Sequence, residues 1–240
     1  MIANILRNIE QKYLFHNIIP MKNKLTLLPR GMLIKTNSVD HADWNYKTVL
    51  GYIQRKRFQL VLTLIGNTHF DKILEIGYGS GIFMPALSKY CEQLYGIDIH
   101  PFNVEVSNVL DNHGISARLF NGSVSKMPFV NETFDLIISV STFEFIDDKK
   151  SACLEIQRVL KKNGRFIIIT PAQSWILDSG FRLLTHENAI NDFGNERQRV
   201  VPILKEYFTI SKSRMFPPVI GNVFPVYKAY VLQLKDGERK

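Results

Sequence analysis

Apolar positions change rhythm along the chain. Ile2, Ile5, Leu6, Ile9 and Tyr13 recur at helical spacing, with Arg7 and Lys12 off the stripe, which predicts a short amphipathic helix. It packs on its own domain or lies on a lipid interface. Residues 22–43 are irregular, with Pro20, Pro29 and Gly31 as breakers. Residues 46–65 return to helical spacing, with Leu50, Ile53, Leu60, Val61 and Leu64 on one side.

From residue 72 short apolar runs alternate with helical ones. The pattern predicts strands over 72–76, 93–98, 116–120, 134–140 and 165–170, and helices over 81–90, 101–112 and 148–160. Pro101 opens the second of these helices and Gly114 follows its end. The runs FDLIISV and RFIIIT are almost wholly apolar, as strands buried on both faces are. Such alternation calls for a parallel sheet with helices on both faces. The tail departs from it. Residues 207–216 and 226–234 read as strands joined only by the link PPVIGNVFP, which has no room for a crossover helix, so they pair antiparallel. The prediction is an α/β fold with a seven-stranded, mostly parallel sheet and an antiparallel C-terminal strand pair.

Composition adds limits. A chain of 240 residues, 45% apolar, suits one α/β domain with a sizeable core. No apolar run approaches the roughly 20 residues that span a bilayer, and the start lacks signal-peptide order. Cys91 and Cys153 stand alone, as reduced, buried thiols of a cytoplasmic protein would. The net charge of +8 is uneven. Residues 1–35 hold six basic groups against one acidic, and residues 197–240 hold nine against three, whereas residues 36–196 are slightly acidic. The basic flanks are either a solvated face or a peripheral contact with an anionic surface.

The chemistry concentrates in Ile73-Leu74-Glu75-Ile76-Gly77-Tyr78-Gly79-Ser80-Gly81, where a strand gives way to a helix. Open α/β sheets bind ligands at such strand ends. Glycines there let the backbone turn and let a ligand approach closely. The run is G-x-G-x-G, with Ile82 after it, and differs from the G-x-G-x-x-G of dinucleotide-binding loops. Asp98 ends the next strand, where a carboxylate can accept from both hydroxyls of a ribose. Further on stand Gly122-Ser123-Val124-Ser125-Lys126-Met127-Pro128-Phe129, then Ser139-Val140-Ser141-Thr142-Phe143-Glu144-Phe145-Ile146, then Leu160-Lys161-Lys162-Asn163-Gly164.

These motifs, in this order, resemble the class I S-adenosylmethionine-dependent methyltransferases, in detail the branch called methyltransferase type 11. The resemblance spans about 73–170 and implies a Rossmann-like fold. It implies an S-adenosylmethionine-binding methyltransferase domain over 67–240, preceded by an N-terminal helical segment over 1–66 that serves as a substrate lid, the whole forming one compact unit. By the same resemblance Glu75 positions the methionine end through its amine. Gly77, Tyr78, Gly79 and Gly81 line the methionine and ribose, Asp98 holds the ribose, and Ile99 lies against the adenine. Ser123, Val124 and Ser139 complete the cofactor site. Ser123 stands where the family usually has Asp, which shifts weight to the Val124 N–H. Phe145 stands where His is common, so no role for that His carries over.

Methyl transfer from a sulfonium needs alignment and exclusion of water, and an alcohol or phenol acceptor also needs a base. Candidates for the catalytic groups are His41, Tyr46 and Glu144, with Trp175 and His186 further along. The cluster His41-Ala42-Asp43-Trp44-Asn45-Tyr46 is either a lid over the cofactor or a surface turn with Trp44 plugged into the core. Glu144 and His186 also have plain structural readings. No metal-ligand spacing is present. The expected activity is methylation of a small molecule, lipid-like or anionic. An RNA or other nucleic-acid methyltransferase is the alternative, since the flanks are basic, although no Asn/Asp-Pro-Pro-Tyr-like motif follows the fourth strand and neither Cys follows Pro. A nicotinamide-dependent enzyme fits the loop spacing less well.

Overall fold

The computed structural model describes residues 25–37, 40–172, 196–218 and 225–235. The helical stripe expected at 2–13, and Trp175 and His186, lie outside them. Seven strands form one sheet in the order β3-β2-β1-β4-β5-β7-β6. They are β1 (Phe70–Ile76), β2 (Cys91–Asp98), β3 (Ala117–Asn121), β4 (Phe134–Val140), β5 (Leu160–Pro171), β6 (Phe208–Phe216) and β7 (Tyr227–Leu234). The first five run parallel. β7 lies between β5 and β6 and is antiparallel to both. The helices are α1 (Val49–Ile65), the single turn α2 (Met84–Leu87), α3 (Asn103–Asp111), α4 (Lys149–Val159) and α5 (Glu196–Tyr207).

Side chains alternate across a strand, and the sheet divides its apolar residues between two cores accordingly. Ile73, Leu136, Ile138, Ile167 and Ile169 face α1 to α3, against Phe58, Val61, Leu62, Met84 and Val106. Leu74, Ile137, Phe166 and Ile168 face α4 and α5, against Cys153, Ile156, Val200 and Leu204. Strand neighbours on both edges and a core on both faces leave β4 nearly without solvent contact, hence its apolar sequence. Cys91 and Cys153 are both free thiols in the interior.

The helix expected over 81–90 is shorter than its pattern. Gly81 turns with φ +71°, so α2 starts only at Met84 and passes through a short 3-10 turn, Ser88–Tyr90, into β2. α5 has no counterpart in the periodicity. It carries Pro202 inside it, and Val200 and Leu204 anchor it in the α4 core. Among the described residues no helix is long and apolar enough to cross a membrane.

Strand order reverses direction between β1 and β4, so the carboxyl ends of these strands part and open a crevice. Residues 25–37 and 40–46 cross above it as a strap. The Leu28 N–H donates to the Ile82 carbonyl at 3.2 Å, the Tyr46 hydroxyl donates to the Leu28 carbonyl, and Asp40 accepts from the Thr36 N–H (3.1 Å), the Thr36 hydroxyl (2.8 Å) and the Ala42 N–H (3.1 Å).

Candidate active site

Between strap, α1 and strand ends lies a cavity of about 760 Å³, a size that takes a small-molecule ligand. Its floor is the loop after β1. Gly77 has φ +72° and packs so closely under Thr142 that any Cβ would collide with that side chain. Gly79, at φ +50°, turns its Cα toward open space, where a Cβ would come only within 3.9 Å of Asp40 Oδ2. Asp98 ties the floor together. Its Oδ2 accepts from the Gly79 N–H at 2.9 Å and its Oδ1 from the Ile99 N–H at 2.7 Å, while its carbonyl accepts from the Gly122 N–H at 2.8 Å.

Glu75, on the α1 side of β1, is only 3% exposed. Its Oε2 has no hydrogen-bond partner among the described residues. Burial above all, and next the nearby charge of Asp98, push its carboxyl up to about 8, against an opposing pull from Arg57. Arg57 projects from α1 into the same cavity, and its Nε is likewise buried without a partner. A buried carboxylate and a guanidinium on one cavity suit a ligand end that carries both an ammonium and a carboxylate.

Other expected cofactor residues fall around this centre. Tyr78 is buried on the wall, its ring edge-on to His100 at 4.9 Å, and its hydroxyl pKa is raised by burial and by Asp98. Ser123 and Val124 line the opposite wall, where Ser123 Oγ accepts from the Ser125 N–H at 3.2 Å. Ile99 stands at the rim, 76% exposed. Gly81 supports the loop from below, against Val106 and Leu110. Neither Gly81 nor Ser139 lines the cavity. Ser139 is fully buried within β4.

The three candidate catalytic groups separate. His41 is on the wall, stacked on Trp44 with ring centroids 3.9 Å apart. Tyr46 is not, since its hydroxyl is turned to the Leu28 carbonyl. Glu144 is buried behind the wall that Thr142, Phe145 and Ile146 form. Its charge reaches Tyr227, whose hydroxyl pKa is raised chiefly by burial.

Sequence reasoning missed the far wall. Gln54 and Arg57 lie on α1, and the Tyr227 hydroxyl donates to Gln54 Oε1 at 3.4 Å. Arg57 carried a signal, because a cation between Ile53 and Leu60 interrupts the apolar stripe of that helix. Tyr227 carried none, being 173 residues from its partner.

Residues 74–168 match the family model of a methyltransferase domain. The chain is 29% identical over 131 residues to the uncharacterized methyltransferase YcgJ of Bacillus subtilis, covering 53% of this chain and 51% of that one. It is 36% identical over 110 residues to the sterol 4-C-methyltransferase strm-1 of Caenorhabditis elegans, covering 45% and 32%. The chain thus spans about half the length of the first of these relatives and a third of the second. Its fold is shared with a SAM-dependent methyltransferase from Aquifex aeolicus, at TM-score 0.57 and 18% identity, over 79% of this chain and 100% of that one. The matched segment runs from β1 to β5 and contains the loop, Glu75, Asp98 and Ser123 around which the cavity is built, so the likeness to methyltransferases lies in the segment that bears the cavity.

Proposed function

We propose that the cavity binds S-adenosylmethionine and that the chain methylates a small molecule there, lipid-like or anionic. The observation that carries this is Glu75, a buried carboxylate with an unpartnered oxygen facing an open glycine loop. The bound cofactor supplies a methyl group already activated on a sulfonium. Glu75 takes the ammonium of its amino-acid end and Arg57 the carboxylate. Asp98 accepts from the ribose hydroxyls with the lone pairs that Gly79 and Ile99 leave over. Val124 and Ser123 face the adenine edge, and Ile99 covers it. Ser139 and Tyr46, away from the wall, support β4 and the strap.

The acceptor enters beside Trp44, Leu50, Ile53 and Val226, an apolar wall that excludes water. Gln54, Arg57 and Tyr227 are its polar points. Of the three candidate bases we assign proton removal to His41, which alone lines the cavity, and give Glu144 a supporting place behind Tyr227. The basic flanks support a peripheral anionic contact, and the two isolated thiols a cytoplasmic setting.

Isothermal titration with S-adenosylhomocysteine, with NADH as competitor, tests the reading. Micromolar binding of the first and none of the second is expected. Binding of NADH alone overturns it.

A further inference from the structure

His100 is a buried imidazole that neither the family motifs nor the proposed chemistry uses. It is 4% exposed and lies two residues after Asp98, under the glycine loop. Its backbone is held from β3, where Asn121 Nδ2 donates to the Ile99 carbonyl at 2.9 Å and to the His100 carbonyl at 2.7 Å.

The ring has two contacts that together fix its tautomer. The Phe102 N–H donates to Nδ1 at 3.1 Å, so Nδ1 offers a lone pair. Nε2 lies 3.0 Å from the Gly79 carbonyl oxygen, which can only accept. The ring is therefore neutral with its hydrogen on Nε2, and it donates to Gly79. Asp98 Oδ2, 3.7 Å from the same nitrogen, accepts from the Gly79 N–H at 2.9 Å. One glycine is thus gripped on both sides, its N–H by Asp98 and its carbonyl by His100. Those grips hold the two peptide planes that define its left-handed conformation, φ +50°. The Cα between them is the one whose missing side chain leaves the cavity open.

We infer that His100 is a positioning residue for the cofactor loop, setting the Gly79 peptide through Nε2–H so that the loop meets the adenosine end of the ligand already in its bound shape. The loop needs this because a glycine at positive φ has wide conformational freedom. Ordering it before binding removes a cost that the ligand would otherwise bear. The effect on cofactor affinity rests on the function proposed above; the ordering of the loop does not.

Two substitutions separate positioning from a plain turn-forming role. In His100→Asn the side-chain oxygen still accepts from the Phe102 N–H but nothing reaches Gly79. In His100→Gln the amide stands near the place of Nε2 and can still donate to the Gly79 carbonyl, while the contact to Phe102 is lost. Amide hydrogen exchange over 77–82 in the ligand-free protein, and S-adenosylhomocysteine affinity by titration, are read for both. H100N is expected to speed exchange of the loop while β4 stays protected, and to lower affinity about 3- to 10-fold, the worth of one neutral hydrogen bond. H100Q is expected to stay near wild type in both. Loop exchange that H100N leaves unchanged, rescue by Asn and not Gln, or equal loss in both variants overturns the inference. Should the wild type bind no S-adenosylhomocysteine, the proposed function fails. The exchange ordering of the two variants then decides the role of His100 alone.

Discussion

Glu75 sets the electrostatics of the site. A carboxyl held to about 8 in the folded chain keeps its proton over a range in which the unfolded chain, near 4.5, has lost it. The folded state then binds more protons, so stability falls as pH rises from 4.5 to 8 and levels off above. Glu75→Gln removes this dependence. Its unfolding free energy relative to wild type should climb between pH 5 and pH 8, with a slope of up to about 1.4 kcal/mol per pH unit, and should gain nothing further at pH 9. A stability difference that stayed flat across that range would show Glu75 to be ionised throughout. Ligand binding runs in the opposite sense, because an ammonium selects the ionised carboxylate. Affinity for S-adenosylhomocysteine should therefore rise toward pH 8 in the wild type, and E75Q should lose that rise along with affinity. Asp98 carries a double load. Asp98→Ala should weaken S-adenosylhomocysteine by about 1.5–3 kcal/mol. It should also lower the urea midpoint, since the N–H groups of Gly79 and Ile99 lose their acceptor. Asp98→Asn, which keeps one acceptor oxygen for two N–H groups, should recover only part of the midpoint and less of the affinity.

Elements fit together through a few close approaches. The β1 and β4 ends meet at Gly77 and Thr142, where no side chain fits on the glycine. Gly77→Ala combines that collision with a positive φ, which costs about 1–2 kcal/mol for an L residue, so a large drop in melting temperature is expected. Adding Thr142→Gly should return the steric part and leave the backbone part. A double variant no better than G77A would mean that the loop had moved instead. The strands themselves were legible from the chain, because buried parallel strands are short, apolar and bounded by Gly, Pro or Asp. β4 begins and ends at the predicted residues, and the antiparallel tail followed from the lack of room in the 217–225 link. Helices read less well where turns intrude. Gly81 delays α2, and Pro202 together with only two fully buried anchors hides α5. In the site, the glycine loop itself was readable because it is local, within one strand-turn-helix. The far wall was not. Gln54 and Tyr227 meet only when β7 is laid beside β5, and Arg57 shows only as a break in an apolar stripe until the cavity in front of it is seen.

At the scale of the whole molecule, a strap and a sheet enclose one cavity. Strap residues Thr36, Asp40, His41 and Trp44 share the cavity with α1 and the strand ends, so a ligand that fills it is expected to touch all three. S-Adenosylhomocysteine at a hundred times its dissociation constant should stabilise the fold by about 2.7 kcal/mol. In the same conditions trypsin should cut more slowly after Lys35, an exposed residue of the strap. Thermal stabilisation with unchanged cleavage would place the ligand on the sheet without the strap.

The strand order also has a temporal side. β6 is made before β7, yet among the described strands β7 is the only one it pairs with, and β5 keeps an open edge until the same strand arrives. While ribosomes add the residues between 216 and 234, at about 5–20 per second, a nascent chain shows two unsatisfied edges for roughly one to four seconds. The strand that covers them also delivers Tyr227 to the cavity, so this wall of the cavity is completed only as those two edges are paired.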